Sequence, residues 1–332
     1  MPPTTNGIVP GAEGLAFRPL EATDLDRWLE LVVRIAGAEH THWHETRSEL
    51  AVCFADTVNP AAANTLAGVD GSGAVRAFGR VSKNRSSDKA YIFGGVDPQW
   101  RHRGLGAAML AWQKGQVQAR FAAEGQLSPQ ARSYAEEGNA APTSLLEQAG
   151  YSVSRYFAEM RRPLAGAPVV AVPEGIRIVT FAQEFAEDVR LAHNEAFADH
   201  WGSEPRSVQQ WEFLLRNEQF RPEWSAVALD AATGELAGYQ LSQYDPERFT
   251  KEGREEGYTE LLGVRRRWRG RGIARTLLAD AMARYKAAGM DYACLDVDTE
   301  NPTGAQGLYE RMGYRPLRRT IAWDKKLDPP RA

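Results

Sequence analysis

The stretch Arg269-Gly270-Arg271-Gly272-Ile273-Ala274 has the residue types and the position of a phosphate-binding turn. It follows an apolar, strand-like run from Glu260 to Val264, and it opens a helix-like run that ends near Gly289. Glycines let a backbone approach an anion closely, and the free amides of a first helical turn point at it with the helix dipole behind them. The stretch lacks the Gly-Lys-Ser/Thr of a P-loop and the G-x-G-x-x-G of a dinucleotide fold. It predicts a site for a phosphorylated ligand outside those two classes.

The same arrangement occurs a second time, earlier in the chain. Arg101-His102-Arg103-Gly104-Leu105-Gly106 follows the strand-like run Tyr91 to Val96 and also opens a helix. Both halves then end in the same way, on Gly150-Tyr151 and on Gly313-Tyr314. Matching features in matching order indicate an internal duplication into two units of ordinary domain size.

The composition of the segments between these motifs sets the domain boundaries. Residues 1–14 are rich in Pro, Thr and Gly, and they read as a loose tail without the hydrophobic core of a signal peptide. Residues 15–164 form an N-terminal domain, residues 165–174 a linker of Ala, Gly, Pro and Val, and residues 175–328 a C-terminal domain. Each half has the predicted order strand, helix, helix, three strands, motif helix, strand, helix and final strand.

Charge and cysteine content exclude several classes of protein. A net charge of −3 over 332 residues argues against a general nucleic-acid binder, and no apolar run is long enough to span a membrane. Cys53 and Cys294 lie far apart in the sequence without a metal-ligand pattern around them, so neither a disulfide framework nor a metal site is expected. We expect a cytoplasmic protein with no nucleic-acid or membrane partner. The basic run Arg265–Arg269 beside the turn predicts a patch for a phosphorylated ligand.

The spacing of the second turn resembles a known signature. Arg269-x-x-Gly272-x-Ala274 is similar to the Q/R-x-x-G-x-G/A signature of the GNAT superfamily of acyl-CoA-dependent N-acyltransferases. Asn301, Leu308-Tyr309 and Gly313-Tyr314 match the ending N-x-x-A-x-x-L/F-Y-x-x-x-G-F/Y of that family. Both halves resemble the family over nearly their whole length, and the tandem arrangement is similar to the double-GNAT architecture of mycothiol synthase. The resemblance implies an α/β (α+β) fold in each half, with a mixed, largely antiparallel, twisted sheet that is flanked by helices and splayed at its central strands.

The resemblance also implies how a donor is held. Acetyl-CoA, or another acyl-CoA, would lie in the gap between the splayed strands, with its pantetheine arm on strand backbone groups and its pyrophosphate on the amides of the turn. The implied cofactor-binding residues of the C-terminal half are Leu262, Gly263, Val264, Arg269, Gly270, Arg271, Gly272, Ile273, Ala274, Arg275, Thr276 and Asn301. Their counterparts in the N-terminal half are Val96, Arg101, Gly104 and Gly106.

The two halves differ at the position that the family uses to protonate the departing thiolate. That residue is Tyr309 in the C-terminal half and Leu146 in the N-terminal half, and leucine has no proton to donate. We therefore predict that the C-terminal domain is catalytic and that the N-terminal domain is structural, or holds CoA without turnover. A general base must also take a proton from the acceptor. The candidates are Glu260, which is predicted to share a strand face with Tyr258 and Leu262, and His200, in a loop where the family builds its acceptor pocket.

The resemblance implies transfer of acetyl from acetyl-CoA to a primary amine of a small molecule by direct attack. O-acylation or transfer of a longer acyl group is an alternative, because variable loops and not the motif shape the acceptor pocket. A non-catalytic CoA-binding, sensing or scaffold role is a second alternative. We expect a monomer or a homodimer.

Overall fold

The computed structural model describes residues 13–41, 44–84, 87–246, 253–301 and 304–328, and they form two compact units. The first unit combines the chain up to Arg155 with the segment from Thr320 onward, and the second unit comprises Tyr156–Arg319. The compact units therefore differ from the sequence halves 15–164 and 175–328, because most of the closing strand of each half belongs to the other unit. The linker 165–174 lies within the second unit.

Six strands form the sheet of the first unit, in the order β1-β2-β3-β4-β5-β12. The strands are β1 (Leu15–Arg18), β2 (Thr65–Asp70), β3 (Val75–Ser82), β4 (Ala90–Val96), β5 (Gln130–Glu136) and the part of β12 (Arg315–Lys326) that begins at Thr320. The helices are α1 (Leu25–Glu39), α2 (Arg47–Ala55), α3 (Ala61–Asn64), α4 (Leu105–Ala123) and α5 (Ala140–Gln148). Neighbouring strands run antiparallel except β4 and β5, which are parallel.

The second unit repeats this plan, in the strand order β6-β11-β10-β9-β8-β7. The strands are β6 (Ser152–Pro163, from Tyr156), β7 (Ile176–Thr180), β8 (Ala226–Asp230), β9 (Leu236–Gln243), β10 (Glu256–Val264) and β11 (Tyr292–Asp298). The helices are α6 (Ala186–Ala196), α7 (Val208–Arg216), α8 (Ile273–Ala287) and α9 (Ala305–Arg311). Only β10 and β11 are parallel among the described pairs. The predicted fold class is confirmed for both halves.

Helices cover both faces of the second sheet. On the α8 face, α8 and α9 pack on the sheet through Leu278, Met282, Tyr285, Tyr309, Met160, Leu295 and Val297. On the opposite α6 face, α6 and α7 pack on it through Val189, Ala192, Trp211, Val227, Tyr239, Leu241 and Leu261. Leu278, Met282 and Tyr285 recur at three- and four-residue spacing, which puts them on one side of α8 and explains why this sequence forms an amphipathic helix there. No helix among the described residues has the length and apolar character needed to cross a bilayer.

Candidate active site

A gap opens between β10 and β11 in the second unit. These strands pair only from Glu256 opposite Tyr292 to Thr259 opposite Leu295, and their pairing ends there. On its other side, β10 shifts register against β9 between Thr259 and Leu261, which leaves Glu260 without a residue opposite it. Such a bulge kinks a strand and turns backbone groups out of the ladder. The predicted splay of the central strands is present, and it begins at this bulge.

The bulge changes which residues of β10 share a face. Before it, a Cβ built on Gly257 would lie 2.4 Å from Cγ of Tyr285 on α8, so Gly257 faces α8 and Tyr258 faces away from it. After it, Leu262 packs against the core beneath α8, and Gly263 faces Tyr239 in the α6-face core. The prediction that Leu262 shares a face with Tyr258 and Glu260 is therefore wrong, because one extra residue shifts the alternation.

The glycine turn before α8 has the backbone shape of an anion site. Gly270 and Gly272 are left-handed, with φ of +77° and +83°, and Gly272 is the N-cap of α8. The amides at the start of α8 have no helical carbonyl in front of them. A Cβ on Gly270 would meet no atom within 4 Å, and one on Gly272 would meet only Pro173, at 3.9 Å. The space in front of the turn is therefore open to a ligand.

The first unit keeps the same backbone shape in its own turn. His102 and Gly104 are left-handed there, with φ of +61° and +78°. Gly104 is the N-cap of α4. A Cβ on Gly106 would lie 3.0 Å from Cδ2 of Leu145, so close packing of α5 favours glycine at that position.

The leading arginine of each turn fastens the turn to its own unit. Arg269 donates from Nε to the carbonyl of Val264 at 3.1 Å and from Nη2 to the carbonyl of Ala196 at 2.9 Å. Arg101 likewise donates from Nε to the carbonyl of Val96, at 3.4 Å. The side chain of Arg269 thus holds the turn at the end of β10, and the backbone amides are left to meet a ligand.

The basic run before the turn is paired with acidic side chains. Arg265 donates to Glu195 at 2.6 Å and to Glu235 at 3.0 Å, and the backbone N–H of Arg266 donates to Glu195 at 3.1 Å. The side chain of Arg266 pairs with Asp199, and Arg267 pairs with Glu235. Surface pairs of this kind add about 0–1 kcal/mol each. The predicted phosphate patch is therefore partly neutralised, and its clearest role is to fix the position of the turn.

Three further residues predicted to bind the cofactor follow in and after the turn. Arg271 donates to the carbonyl of Glu174 at 3.3 Å. The hydroxyl of Thr276 donates toward the carbonyls of Gly272 and Ala171, and the residue is only 3 % exposed. The structure thus gives the Thr276 side chain a role in packing the linker against α8. Arg275 is exposed, and its guanidinium has no partner within the described part of the chain.

Tyr309 lies on α9 in the α8-face core, 9 % exposed, with its ring centroid 6.1 Å from that of Tyr314. Among the described residues, no hydrogen-bond partner meets its hydroxyl. Burial raises the pKa of Tyr309 to about 12, so the phenol stays protonated at neutral pH, as a proton donor requires. The matching residue of the first unit, Leu146, is buried on α5.

The two candidate bases belong to different elements of the second unit. Glu260 is the bulge residue of β10 and is partly buried. His200 follows α6 and packs on Phe197 with ring centroids 4.4 Å apart. Burial and the charge of Arg269 lower the pKa of His200, while Asp298 at the end of β11 and Asp199 oppose that shift. With its pKa lowered, His200 is a neutral imidazole at pH 7.

Asn301 lies in the turn before α9 and does not cap the helix. Its N–H donates to the carbonyl of Asp298 at 3.1 Å, and its carbonyl accepts from the N–H of Gly304 at 3.1 Å. The helix begins at Ala305, with Gly304 in the left-handed conformation as its N-cap. Asn301 is therefore not the N-cap of α9, and Pro302 lies outside the described residues.

In the first unit, a side-chain hydrogen bond spans the corresponding gap between β4 and β5. β4 pairs with β5 only at Ala90 and Tyr91, and its pairing with β3 runs without a bulge. The carbonyl of Phe93 accepts from Gln113 of α4 at 2.6 Å, and that of Ile92 accepts from Ser133 at 3.3 Å. The Ser133 bond therefore lies on the side of β4 that faces β5, whereas Gln113 also donates to the carbonyl of Arg80, the β3 partner of Phe93, and lies over the β3–β4 pair. Sequence reasoning missed Gln113, although it stands on the buried face of α4 four residues after Met109.

Glu39, which was also missed, bridges the segments that follow β4 and β5. Its carboxylate accepts from Arg101 at 2.5 Å and from Asn139 at 2.7 Å. Asn139 itself occupies the N-cap position of α5. The side chains of Arg101 and Asn139 are thus bound to each other through Glu39.

A buried polar pair behind Gly263 was not predicted. The Tyr239 hydroxyl lies 2.7 Å from Nδ1 of His193, with the two residues 0 % and 3 % exposed. Burial lowers the pKa of His193 to about 3, so this imidazole is neutral. A Cβ on Gly263 would lie 2.5 Å from Cε1 of Tyr239, so Gly263 is needed to seat that ring. When the two units are aligned at their first strand residues, Leu15 and Ile176, His193 corresponds to Val32 and Tyr239 corresponds to Phe78. The hydrogen-bonded pair therefore occurs in the second unit and not at the matching positions of the first.

Glu159, Glu256 and Cys294 form a buried cluster on the α6 face, with ligand atoms within 4.8 Å of one another. Arg161 and Arg254 donate to Glu256 at 3.2 Å and 3.0 Å, so arginines already balance its charge. Sequence spacing could not reveal this cluster, because its members come from three different strands.

Comparisons with known proteins agree with this geometry. The family model described as "Acetyltransferase (GNAT) family" matches residues 186–314. A mycothiol acetyltransferase of Thermobifida fusca is 30 % identical over 255 residues, which cover 72 % of this chain and 74 % of the relative. A mycothiol acetyltransferase of Gordonia bronchialis is 29 % identical over 284 residues, which cover 78 % of this chain and 84 % of the relative.

Solved structures add the tandem architecture. A GCN5-related N-acetyltransferase from Sphaerobacter thermophilus is 25 % identical with a TM-score of 0.73, and the match covers 96 % of this chain and 98 % of that one. A tandem GNAT protein from the clavulanic acid biosynthesis pathway is 18 % identical with a TM-score of 0.69 and shares the fold over 96 % and 100 % of the two chains. The chain is a GNAT-type N-acetyltransferase and belongs, as a tandem of two GNAT folds, to the GNAT acetyltransferase family.

Proposed function

We propose that the second unit transfers an acetyl group from acetyl-CoA to the amine of a small molecule. The observation that carries the proposal is that the bulged gap, the open glycine turn and the protonated Tyr309 all lie in this unit. Several relatives are named mycothiol acetyltransferases, which supports acetyl as the group transferred. A mycothiol-related amine is therefore the first acceptor to test.

The second unit offers two kinds of contact to the donor. The amides from Gly272 to Ala274 face open space and would hold the pyrophosphate, with the exposed Arg275 available to a further phosphate. The edge of β10 beyond its bulge, Leu262–Val264, is unpaired on the β11 side and would bind the pantetheine arm as a neighbouring strand does. A β10 amide turned out of the ladder at the bulge would stabilise the oxyanion that forms on the thioester carbonyl.

The chemical step is a direct acyl transfer. The amine nitrogen forms a bond to the acetyl carbon, and the bond from that carbon to the CoA sulfur breaks. The nitrogen loses one proton to a base, and the departing thiolate gains one from the Tyr309 hydroxyl. Because the Tyr309 pKa is about 12, the phenol is the protonated partner and an unprotonated base must act elsewhere.

We propose His200 as that base and expect its loss to change the pH profile. A base acts unprotonated, so the rate should fall as pH drops through the pKa of His200, which lies below its usual 6.5. Measuring kcat/KM from pH 5 to 9, we expect the acid limb to disappear in His200→Gln and to persist in Glu260→Gln. The reverse pattern would assign the base to Glu260, and an unchanged limb in both variants would remove both residues from the role.

We propose that the first unit supports the second without turning over acetyl-CoA. Its gap is bridged by Ser133 and, through Arg101 and Asn139, by Glu39, and Leu146 stands where a proton donor is needed. Its glycine turn keeps the left-handed backbone of an anion site, so the first unit would bind a phosphate group without catalysing acetyl transfer.

The proposed function is tested by thiol release. Acetyl-CoA is incubated with the protein and a panel of small amines, and free CoA thiol is followed with a colorimetric reagent. We expect release that depends on one class of amine, with an amide in the product by mass spectrometry. An ester product would support O-acylation instead. Tight binding of acetyl-CoA without thiol release from any amine would contradict the transferase proposal.

A further inference from the structure

The linker of the second unit runs directly beside the glycine turn. A Cβ built on Gly272 would lie 3.9 Å from Cγ of Pro173, and no other described atom lies within 4 Å of it. The carbonyl of Ala171 accepts from the Thr276 hydroxyl at 3.4 Å, and the carbonyl of Glu174 accepts from Arg271 at 3.3 Å. Residues 171–174 are therefore fixed against the turn and the first turn of α8 at several points.

Two valines of this linker are turned away from the protein. Val170 packs against the core beneath α8, whereas Val169 is fully exposed and Val172 is 49 % exposed. Isolated exposed apolar residues need no explanation. Val169 and Val172, however, flank Val170 and Ala171, which pack on and hydrogen-bond to α8. The two exposed valine side chains therefore have fixed positions beside the turn.

We propose that Val172, together with Val169, forms an apolar shelf for the adenine ring of the acyl-CoA donor. The inference rests on the proposed function, which places the pyrophosphate at Gly272. In CoA, the adenosine follows the pyrophosphate directly, so its ring must lie on the surface that adjoins the turn. The linker is such a surface, because Pro173 contacts the Gly272 position. Covering two exposed valines with a flat ring removes apolar area from water on both partners.

The shelf makes the linker part of the donor site. Arg275, one helical step from the turn, is exposed and has no partner in the described part of the chain, so a phosphate of the nucleotide can reach it. The apolar shelf and the Arg275 guanidinium would together bind the nucleotide end of the donor, which lies far from the reacting thioester. Changes at the shelf should therefore alter donor affinity and leave the chemical step intact.

The test compares two donors that differ only in the nucleotide. Acetyl-CoA carries a 3′-phospho-AMP unit, and acetyl-4′-phosphopantetheine carries the same thioester and arm without that nucleotide. In V169S/V172S we expect the KM for acetyl-CoA to rise about fivefold to tenfold, with kcat unchanged and with the KM for acetyl-4′-phosphopantetheine unchanged. In V172W, an indole should stack on adenine and lower the KM for acetyl-CoA alone.

A matched control is available in the same unit. Val208 on α7 is 53 % exposed, a fraction similar to that of Val172, but it belongs to the helix layer of the α6 face. V208S should therefore change neither KM. Equal effects of V169S/V172S on both donors, or no effect on either, would overturn the shelf.

Titration calorimetry with acetyl-CoA separates the shelf from the proposed reaction. If the wild type binds acetyl-CoA without turnover, the transferase proposal fails, and the ratio of Kd values between V169S/V172S and wild type then decides the shelf by the same fivefold to tenfold criterion. If the wild type binds no acetyl-CoA, both proposals are overturned.

Discussion

Replacing Tyr309 by phenylalanine is expected to lower kcat for acetyl transfer by about 100-fold to 1,000-fold, the usual worth of a positioned proton donor. The phenol is buried and protonated at neutral pH, and no described residue meets its hydroxyl, which leaves it available to donate to a departing thiolate. The KM for acetyl-CoA should change little, because the proton is needed only as the thiolate departs. Steady-state thiol release gives both constants.

Tyr314→Phe is the matched control for this change. Its ring centroid lies 6.1 Å from that of Tyr309, and its hydroxyl is fully buried without a hydrogen-bond partner in the described structure. Removing that hydroxyl costs no hydrogen bond, so activity and stability should stay near the wild type. A Tyr309→Phe variant that keeps kcat within a factor of about three of the wild type, far below the range for a proton donor, would contradict the assignment. It would also remove the argument that Leu146 disables the first unit.

Gly272→Glu is expected to weaken acetyl-CoA binding at the second unit by about 100-fold or more. The new carboxylate would enter the open space in front of the turn, where two like charges about 4 Å apart repel by about 4 kcal/mol at a surface dielectric. The left-handed φ of +83° adds backbone strain for any residue other than glycine. Calorimetric titration reports affinity and the number of sites, and thiol release should fall to background.

Two further variants separate charge from strain and one unit from the other. Gly272→Ala carries the strain without the charge, so it should lose much less affinity than Gly272→Glu. Gly104→Glu makes the same change at φ +78° in the first unit and should leave thiol release unchanged. If two sites in the wild type fall to one in Gly272→Glu, the first unit also binds acetyl-CoA. Activity lost in Gly104→Glu and retained in Gly272→Glu would place the reaction in the first unit.

Local patterns in the sequence were sufficient for the two turns and for the difference between the halves. A left-handed backbone at Gly270 and Gly272 and an open helix start need only a few adjacent residues of the right type. Tyr309 and Leu146 could be matched because each precedes its Gly-Tyr pair at the same distance along the chain. Features that depend on short, fixed spacing can be predicted from the sequence alone.

Pairing between strands lay beyond the reach of those patterns. The bulge at Glu260 exists only because β9 and β10 meet in a particular register, and it moved Leu262 to the face opposite Tyr258. Which unit a closing strand joins is also a matter of pairing, so β6 and β12 joined units other than those that their sequence positions indicated. Alternation along one strand contains no information about its neighbour's register.

The sequence by itself therefore determined the duplication, the two glycine turns at helix starts, and the presence of Tyr309 in one half where the other has Leu146. Only the tertiary structure decided which polar groups those turns leave available. Arg269 and Thr276 bond to carbonyls of Ala196 and Ala171, which are distant in sequence, and Glu39 bridges the segments that follow β4 and β5 by reaching Arg101 and Asn139. A hydrogen bond depends on distance and direction in space, and folding brings together donors and acceptors that no spacing along the chain relates.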